Sequence, residues 1–362
     1  MVRKSFIMLA LLLVLALTLA ACGQATTPAP APAPEQPAVS EPAQVAGNTL
    51  ATIKARGKLI CGVNQAVPGF GFLQSDGSFA GFDIDFCKAL SAAIFGDPNM
   101  VEYRPLTASE RFTTLQAGEI DVLIRNTTWT LTRDTELGGN FVHTTFYDGQ
   151  GIQVPVDSGI NSITELGGTA ICVQQGTTTE LNLADQMAAV GVQYTPVVFE
   201  TADETVNAYL EGRCDAWTTD MSGIVARQSI FPDPTAHKIL PEVLSKEPLG
   251  PMVRHGDDQW FDIVQWTVFA TFQAEEFGIT SQNIDTFMST ENPNIRQMLG
   301  LEGEMGVKLG LSNDWAYNIV KLVGNYAEIF NRNLGPDTPL GLARGLNASW
   351  VDGGLLYAPP IR

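Results

Sequence analysis

Glu110–Arg133 reads ERFTTLQAGEIDVLIRNTTWTLTR, and its plan occurs a second time further along the chain. Phe112, Leu115 and Gln116 stand at helical spacing, Gly118 breaks the helix, and Val122-Leu123-Ile124 resume as a short apolar strand. Asn126, Thr127, Thr128, Thr130 and Thr132 then crowd the carboxyl end of that strand, and Arg133 closes the run. Small ligands bind outside the carboxyl ends of strands in α/β sheets, so the stretch reads as half of a pocket for a carboxylate. A polar loop with a solvated arginine is the competing reading. Thr205–Ser222, TVNAYLEGRCDAWTTDMS, repeats the order of helix, turn, strand and hydroxyls, with Gly212-x-x-Asp215 where the first unit has Gly118-x-x-Asp121. One unit ends on Arg133 and the other on Asp220, a cation and an anion that together suit a zwitterion.

Around this pair of α/β units the chain has 362 residues, 45% of them hydrophobic, enough to fill two cores. Residues 1–22 stand apart. Arg3 and Lys4 precede an apolar run from Phe6 to Leu17, and small residues lead into Cys22, the pattern of a secretory signal and too short for a spanning helix. Leu19-Ala20-Ala21-Cys22 resembles a bacterial lipobox, which makes Cys22 the expected lipidation site of an exported, membrane-anchored protein; an ordinary cleavage site beside a chance cysteine is the alternative. Residues 23–47 alternate proline and alanine and read as an extended spacer, so the fold begins near Asn48.

The net charge of −18, which becomes −20 without Arg3 and Lys4, argues against nucleic acid or an anionic lipid face as a partner. Cys61, Cys87, Cys172 and Cys214 are even in number and exported, which favours two disulfides. Of three connectivities, Cys61–Cys87 and Cys172–Cys214 keep each bridge within one unit; four buried thiols are the alternative. No CxxC occurs and His143, His237 and His255 are scattered, so neither a metal site nor a cofactor is expected.

Further elements follow in order. A strand at Lys58–Val63 leads into a glycine-rich loop whose Phe70 and Phe72 either cover a ligand or join the core. Asp83 and Asp85 read as caps of a helix over Phe86–Phe95 rather than as ligand contacts. Ile152–Val156 reads as a linker or strand where the chain crosses between units. Thr177 followed by Glu180 is a capping box for a helix over Leu181–Val190. Its free amides with the nearby hydroxyls also make Gly176–Thr178 an anion site opposite Arg133, unless it is a cap alone. Trp260–Phe277 is a long amphipathic helix returning to the first unit, and residues 283–362 are helical in parts, notably Trp315–Phe330. No GxSxG, GxxxxGK[ST], HExxH or dinucleotide glycine pattern occurs, and no carboxylate pair is marked for acid–base work.

Gly81-Phe82-Asp83-Ile84-Asp85, the run Arg111–Arg133, Gly176-Thr177-Thr178, and Gly212–Asp215 through Asp220 resemble the solute-binding proteins of ABC importers for polar amino acids. Arg125–Thr130, Tyr147–Gly151, Ser245–Pro251 and Gly324-Asn325-Tyr326 are similar to runs of the general L-amino-acid-binding proteins within that group. The resemblance covers nearly everything from about Asn48. It implies an α/β, two-lobed periplasmic-binding-protein type 2 fold with two interlobe crossovers and a helical carboxyl extension. Lobe 1 would be 48–151 with 253–362, and lobe 2 would be 152–252. It also implies a monomer with no catalysis, closing on a free L-amino acid and delivering it to permease subunits in the cytoplasmic membrane. Carried over by position, Arg133 binds the ligand carboxylate, helped by the Thr178 amide and Thr128. Asp220 takes the α-ammonium with the Asn126 carbonyl and the Thr128 hydroxyl, Gly176 and Thr177 belong to the anion loop, and Phe70 and Arg111 lie near the ligand side chain. The lipobox departs from the freely soluble pattern, leaving the periplasm or the outer face of the envelope as the location. Presentation of the closed form to a sensor or chemoreceptor, and an enzyme on the same scaffold, are the other functions weighed.

Overall fold

The two glycine–aspartate turns build the same joint in both halves of the molecule. Gly118 and Gly212 have φ of +73° and +72°, a left-handed conformation that a side chain opposes. Asp121 accepts the Ile60 N–H (2.7 Å) while its own N–H donates to the Ile60 carbonyl (2.9 Å). Asp215 makes the same pair with Ala170, both at 2.8 Å. Each aspartate therefore clips the strand that follows it to its parallel neighbour in its own sheet, and the repeat is a register clamp.

The computed structural model describes residues 47–362; Cys22, the signal segment and the spacer up to residue 46 lie outside the described residues. The chain begins with α1 (Thr49–Arg56), β1 (Leu59–Val63), and a small antiparallel ribbon of β2 (Ala66–Val67), β3 (Gly71–Leu73) and β4 (Phe79–Ala80). Next come α2 (Phe82–Phe95), β5 (Val101–Pro105), α3 (Arg111–Gln116), β6 (Val122–Leu123), α4 (Leu131–Glu136) and β7 (Gly139–Phe141). The long strand β8 (Phe146–Pro155) leaves this half. It is followed by β9 (Ala170–Gln174), α5 (Thr178–Ala189), β10 (Thr195–Phe199), α6 (Ala202–Leu210), β11 (Ala216–Asp220), α7 (Met221–Gln228) and β12 (His237–Ile239). β13 (Lys246–Leu249) and β14 (Met252–Arg254) return, and α8 (Asp258–Glu276), α9 (Pro293–Met298), α10 (Met305–Leu309), α11 (Trp315–Leu322) and α12 (Tyr326–Asn333) complete the chain.

One sheet has the order β5-β1-β6-β14-β7 and the other β10-β9-β11-β8-β12. In each, three parallel strands meet an antiparallel fourth, β14 or β8, supplied by the chain as it crosses. The parallel strands β1 and β9 are short apolar runs with buried centres, as helices on both faces require. The first core gathers Leu59, Phe86, Trp260, Val264 and Ile319; the second half packs Ile152, Val154, Ile171 and Leu183.

Several expectations are corrected. Helix α2 starts at Phe82, with Gly81 at its N-cap and no side-chain cap, so Asp83 and Asp85 do not cap it. Asp83 accepts the Asn126 N–H (2.7 Å), and Asp85 accepts Arg332 Nε and Asn333 Nδ2 (both 2.7 Å). The helix expected over Trp315–Phe330 is two helices, because Asn325 and Glu328 form a capping box that starts α12 afresh. The crossing strand begins at Phe146, not Ile152, and pairs first with β13 (Tyr147 opposite Pro248) before joining β11.

The carboxyl extension is part of the first core. Tyr326 donates its hydroxyl to the Thr145 carbonyl (2.8 Å), and the Arg344 guanidinium lies over the Tyr326 ring (4.9 Å) while bonding Glu275 (2.9 Å). The Asn347 side chain accepts the Tyr147 N–H (2.6 Å) and donates to its carbonyl (3.1 Å).

Cys61 is bonded to Cys87 and Cys172 to Cys214, one bridge in each half, closing intervals of 26 and 42 residues. Chain-entropy arguments assign such loops about 3.5 and about 4 kcal/mol. Urea unfolding of Cys61→Ala/Cys87→Ala and Cys172→Ala/Cys214→Ala is expected to show losses of that order, and unchanged midpoints would refute it.

Candidate ligand-binding site

A cavity of about 50 Å³ lies between the two sheets, against the segments that follow β6 and the end of β11. Asn64, Phe70, Arg111, Arg125, Asn126 and Thr128 wall it on one side, and Thr177, Thr178, Trp217, Thr219, Asp220 and Ser222 on the other. The walls touch. Arg111 Nη2 donates to the Gly176 carbonyl (3.4 Å), and the Thr128 and Thr178 hydroxyls are 3.3 Å apart. Gly176 faces Ser109 so closely that a Cβ would stand 3.2 Å from the Ser109 Cα. The arrangement is a closed cleft.

The segment that follows β6 carries Asn126, which among the described residues is the one non-glycine with positive φ, at 34°. Such strain persists where the surroundings impose it. Here the Asp83 carboxylate takes the Asn126 N–H, and Asn64 Nδ2 donates to its side-chain oxygen (2.9 Å). Phe70 is both core and wall: buried, and edge-on to Phe82 and Phe146.

Three arginines converge behind this strand. Arg111, Arg125 and Arg133 are all buried, and among the described residues none is in an ion pair. Arg125 donates Nε to the Leu106 carbonyl (2.8 Å). Arg133 lies on α4, a short helix capped by Thr130, whose hydroxyl oxygen accepts the Arg133 N–H (3.2 Å). Its Nη1 donates to the Thr128 carbonyl (3.0 Å), which holds it next to the cavity wall. The Arg111 and Arg133 guanidiniums lie 4.9 and 5.1 Å from the centre of the Phe112 ring. Arg111 Nε is buried without a partner among the described residues. Burial draws Arg125 and Arg133 down to about 10, and burial with the nearby charges of Arg133 and Arg125 draws Arg111 well below its ordinary value. A set of desolvated, mutually repelling cations is costly until an anion arrives.

The opposite wall carries the reverse imbalance. Asp220 occupies the N-cap position of α7 but caps nothing with its side chain. Asp148, on β8, does that instead by accepting the Ser222 N–H (3.3 Å) and hydroxyl, which leaves the Asp220 carboxylate facing the cavity. Burial, then the charges of Asp148 and Glu247, push Asp220 well above the ordinary carboxylate range, and burial pushes Asp148 up to about 6. Thr177 caps α5 by accepting the Glu180 N–H (3.1 Å), but Glu180 turns back to the Gly176 N–H (2.9 Å), so only half of the expected box forms. The Thr178 N–H in the first turn has no partner among the described residues.

Of the nine residues singled out from the sequence, Phe70, Arg111, Asn126, Thr128, Thr177, Thr178 and Asp220 line the cavity, and Arg133 and Gly176 lie just outside its wall. The sequence reading missed Arg125, Asp148, Trp217, Arg227 and Glu247. A second chamber of about 160 Å³ adjoins the first through Asn64, Arg125, Gln174 and Ala202, and adds Thr107, Glu110 and Asp203.

The sequence profile of the bacterial extracellular solute-binding proteins, family 3, matches residues 59–283. The chain belongs to this family. Its architecture is the periplasmic-binding-protein type 2 fold, with two lobes, two crossovers and a helical carboxyl extension. A general L-amino acid-binding periplasmic protein of Rhizobium johnstonii is 56% identical over 88% of this chain and 94% of its own length. A glutamate/glutamine/aspartate/asparagine-binding protein of Rhodobacter capsulatus is 51% identical over 90% and 98%. Among solved structures, an ABC transporter periplasmic binding protein of Brucella ovis with glutathione bound is 51% identical, covers 87% of this chain and 99% of its own, and superposes with a TM-score of 0.85.

Proposed function

We propose that this chain is the extracytoplasmic substrate-binding component of an ABC importer and that its cleft takes one free L-amino acid. The observation that carries the reading is the charge imbalance across one closed cavity: among the described residues, three buried arginines without ion pairs stand on one side and Asp220, likewise without one, on the other. The α-carboxylate goes to Arg133, which keeps donors beyond the one on Thr128, and to the open Thr178 amide. The α-ammonium goes to Asp220, the Asn126 carbonyl and the Thr128 hydroxyl. Arg111, with its spare Nε, Phe70 and the Gly176–Thr177 turn meet the side chain, which favours glutamate, glutamine, aspartate and asparagine within a broad polar range. Lobe 1 (48–151 with 253–362) and lobe 2 (152–252) close on the ligand as a monomer without chemistry, Cys22 carries a lipid anchor, 23–47 is the tether, and permease subunits receive the ligand.

Calorimetry of ligand-stripped protein against the twenty L-amino acids tests this, with the acidic and amide members expected among the tightest; no heat with any of them would end the reading. Arg133→Ala is expected to weaken every amino acid to a similar degree, by about a hundredfold or more. Arg111→Ala should weaken glutamate and aspartate selectively, leaving serine and alanine within about threefold.

The second chamber favours one further reading, a ligand extended beyond a free amino acid. The Brucella ovis relative has glutathione bound. Competition of glutathione against labelled L-glutamate distinguishes the two.

A further inference from the structure

Glu247 stands on β13 directly opposite Asp148 on β8, on the pair of strands by which the chain crosses between lobes. It is 1% exposed, forms no ion pair among the described residues, and stays outside the cavity wall. Its Oε2 accepts the hydroxyl of Thr128 (2.5 Å) from one lobe and that of Thr178 (2.8 Å) from the other. Its Oε1 accepts Asn182 Nδ2 (2.8 Å) and the Ser245 hydroxyl (2.5 Å). A carboxylate offers only lone pairs, so each hydroxyl bonded to it must spend its single proton there. The hydroxyls of Thr128 and Thr178, which both line the cavity, are thereby left with nothing but lone pairs to present to a ligand.

From this we infer that Glu247 is a positioning residue: by consuming both threonine protons it turns the two hydroxyls into acceptors that select an ammonium, leaving the Thr178 N–H and Arg133 as the donors for the carboxylate. The inference rests on the amino-acid reading above and deepens it, since it assigns the orientation of the zwitterion to a residue the ligand never touches. Asp220 lines the same cavity, so an arriving ammonium meets a carboxylate together with two oriented hydroxyl oxygens. An amide at position 247 that keeps its oxygen on Asn182 Nδ2 would break the arrangement, because its NH2 then faces both threonines, donates to them and frees their hydroxyls to point protons into the cleft.

The test titrates the unaltered protein and Glu247→Gln with L-glutamate and with glutarate, the same diacid without the α-ammonium, reading glutarate by competition. The unaltered protein is expected to prefer glutamate by about a thousandfold or more. In Glu247→Gln, glutamate should weaken at least about tenfold while glutarate holds or improves, so the preference narrows by at least that factor. A residue that merely supports the strand would lower both affinities together; an unchanged preference overturns the inference. Neutron diffraction of the unaltered protein gives an answer independent of folding of the variant and of the choice of ligand. Deuterons of both threonine hydroxyls aimed at Glu247 support the assignment, and either one aimed into the cleft refutes it. Failure of the unaltered protein to bind L-glutamate, with the deuterons on Glu247, would count against the proposed ligand and leave the positioning role standing.

Discussion

Asp220→Asn is expected to lose amino-acid binding by about two to three orders of magnitude while raising the melting temperature of the ligand-free protein. The two effects have one cause. In the empty cleft the Asp220 carboxylate is desolvated, repelled by Asp148 and Glu247, and relieved of no helix-capping duty, because Asp148 holds the start of α7. Ionised Asp220 is thus unfavourable until a ligand ammonium pairs with it. Asparagine keeps the shape and removes the charge, so the empty fold gains and the complex loses. Scanning calorimetry with and without L-glutamate reads both effects. An Asp220→Asn variant that is less stable when empty, or that binds as tightly as before, would show that the cleft is not organised by this charge.

Acidity should act in the same sense. Burial pushes Asp83 up to about 7 and Asp148 up to about 6, and Asp220 also lies above its ordinary 3.8. For a group whose pKa is higher in the folded state, the folded state binds the proton more tightly. The stability it contributes is complete below the unfolded value, near 4, and disappears as the pH climbs through 6 to 7. The empty protein is therefore expected to be more stable at about pH 5 than at about pH 8, with Asp148 alone worth about 1 kcal/mol over that interval. Ligand binding needs ionised Asp220, so affinity should move the opposite way and fall as the pH drops. Melting curves across this range, with and without saturating L-glutamate, should show the ligand-induced shift shrinking toward the acid side. A shift that is flat or grows there would sink the account.

Much of this architecture was legible because local rules produce it. The Gly-x-x-Asp turns, the apolar strands and the spacing of Cys61, Cys87, Cys172 and Cys214 each act within one unit, where sequence neighbours decide the outcome. Asp83 and Asp85 misled because charge in a first helical turn has a ready local explanation, whereas Asp85 is held by Arg332, 247 residues further on. The break before α12 was locally signalled by Asn325 and Glu328, but the apolar spacing across it is continuous enough to read as one helix. Asp220 and Arg111 could be drawn to one site by the resemblance alone. Asp148 and Glu247 carried no such signal: each acquires its part only when β8 and β13 lie side by side, a pairing that no periodicity announces.

That pairing also contains a proline, and the carboxyl tail explains how it is tolerated. Pro248 has no N–H to offer Tyr147, yet none is wanted, because the Tyr147 N–H and carbonyl are both engaged by the Asn347 amide, and the Pro248 carbonyl accepts the Trp129 N–H (2.8 Å). One side chain thus stands in for a missing neighbour strand. It occupies the backbone groups on that flank of the ribbon, so the distant end of the polypeptide closes an edge that would otherwise be open to a further strand.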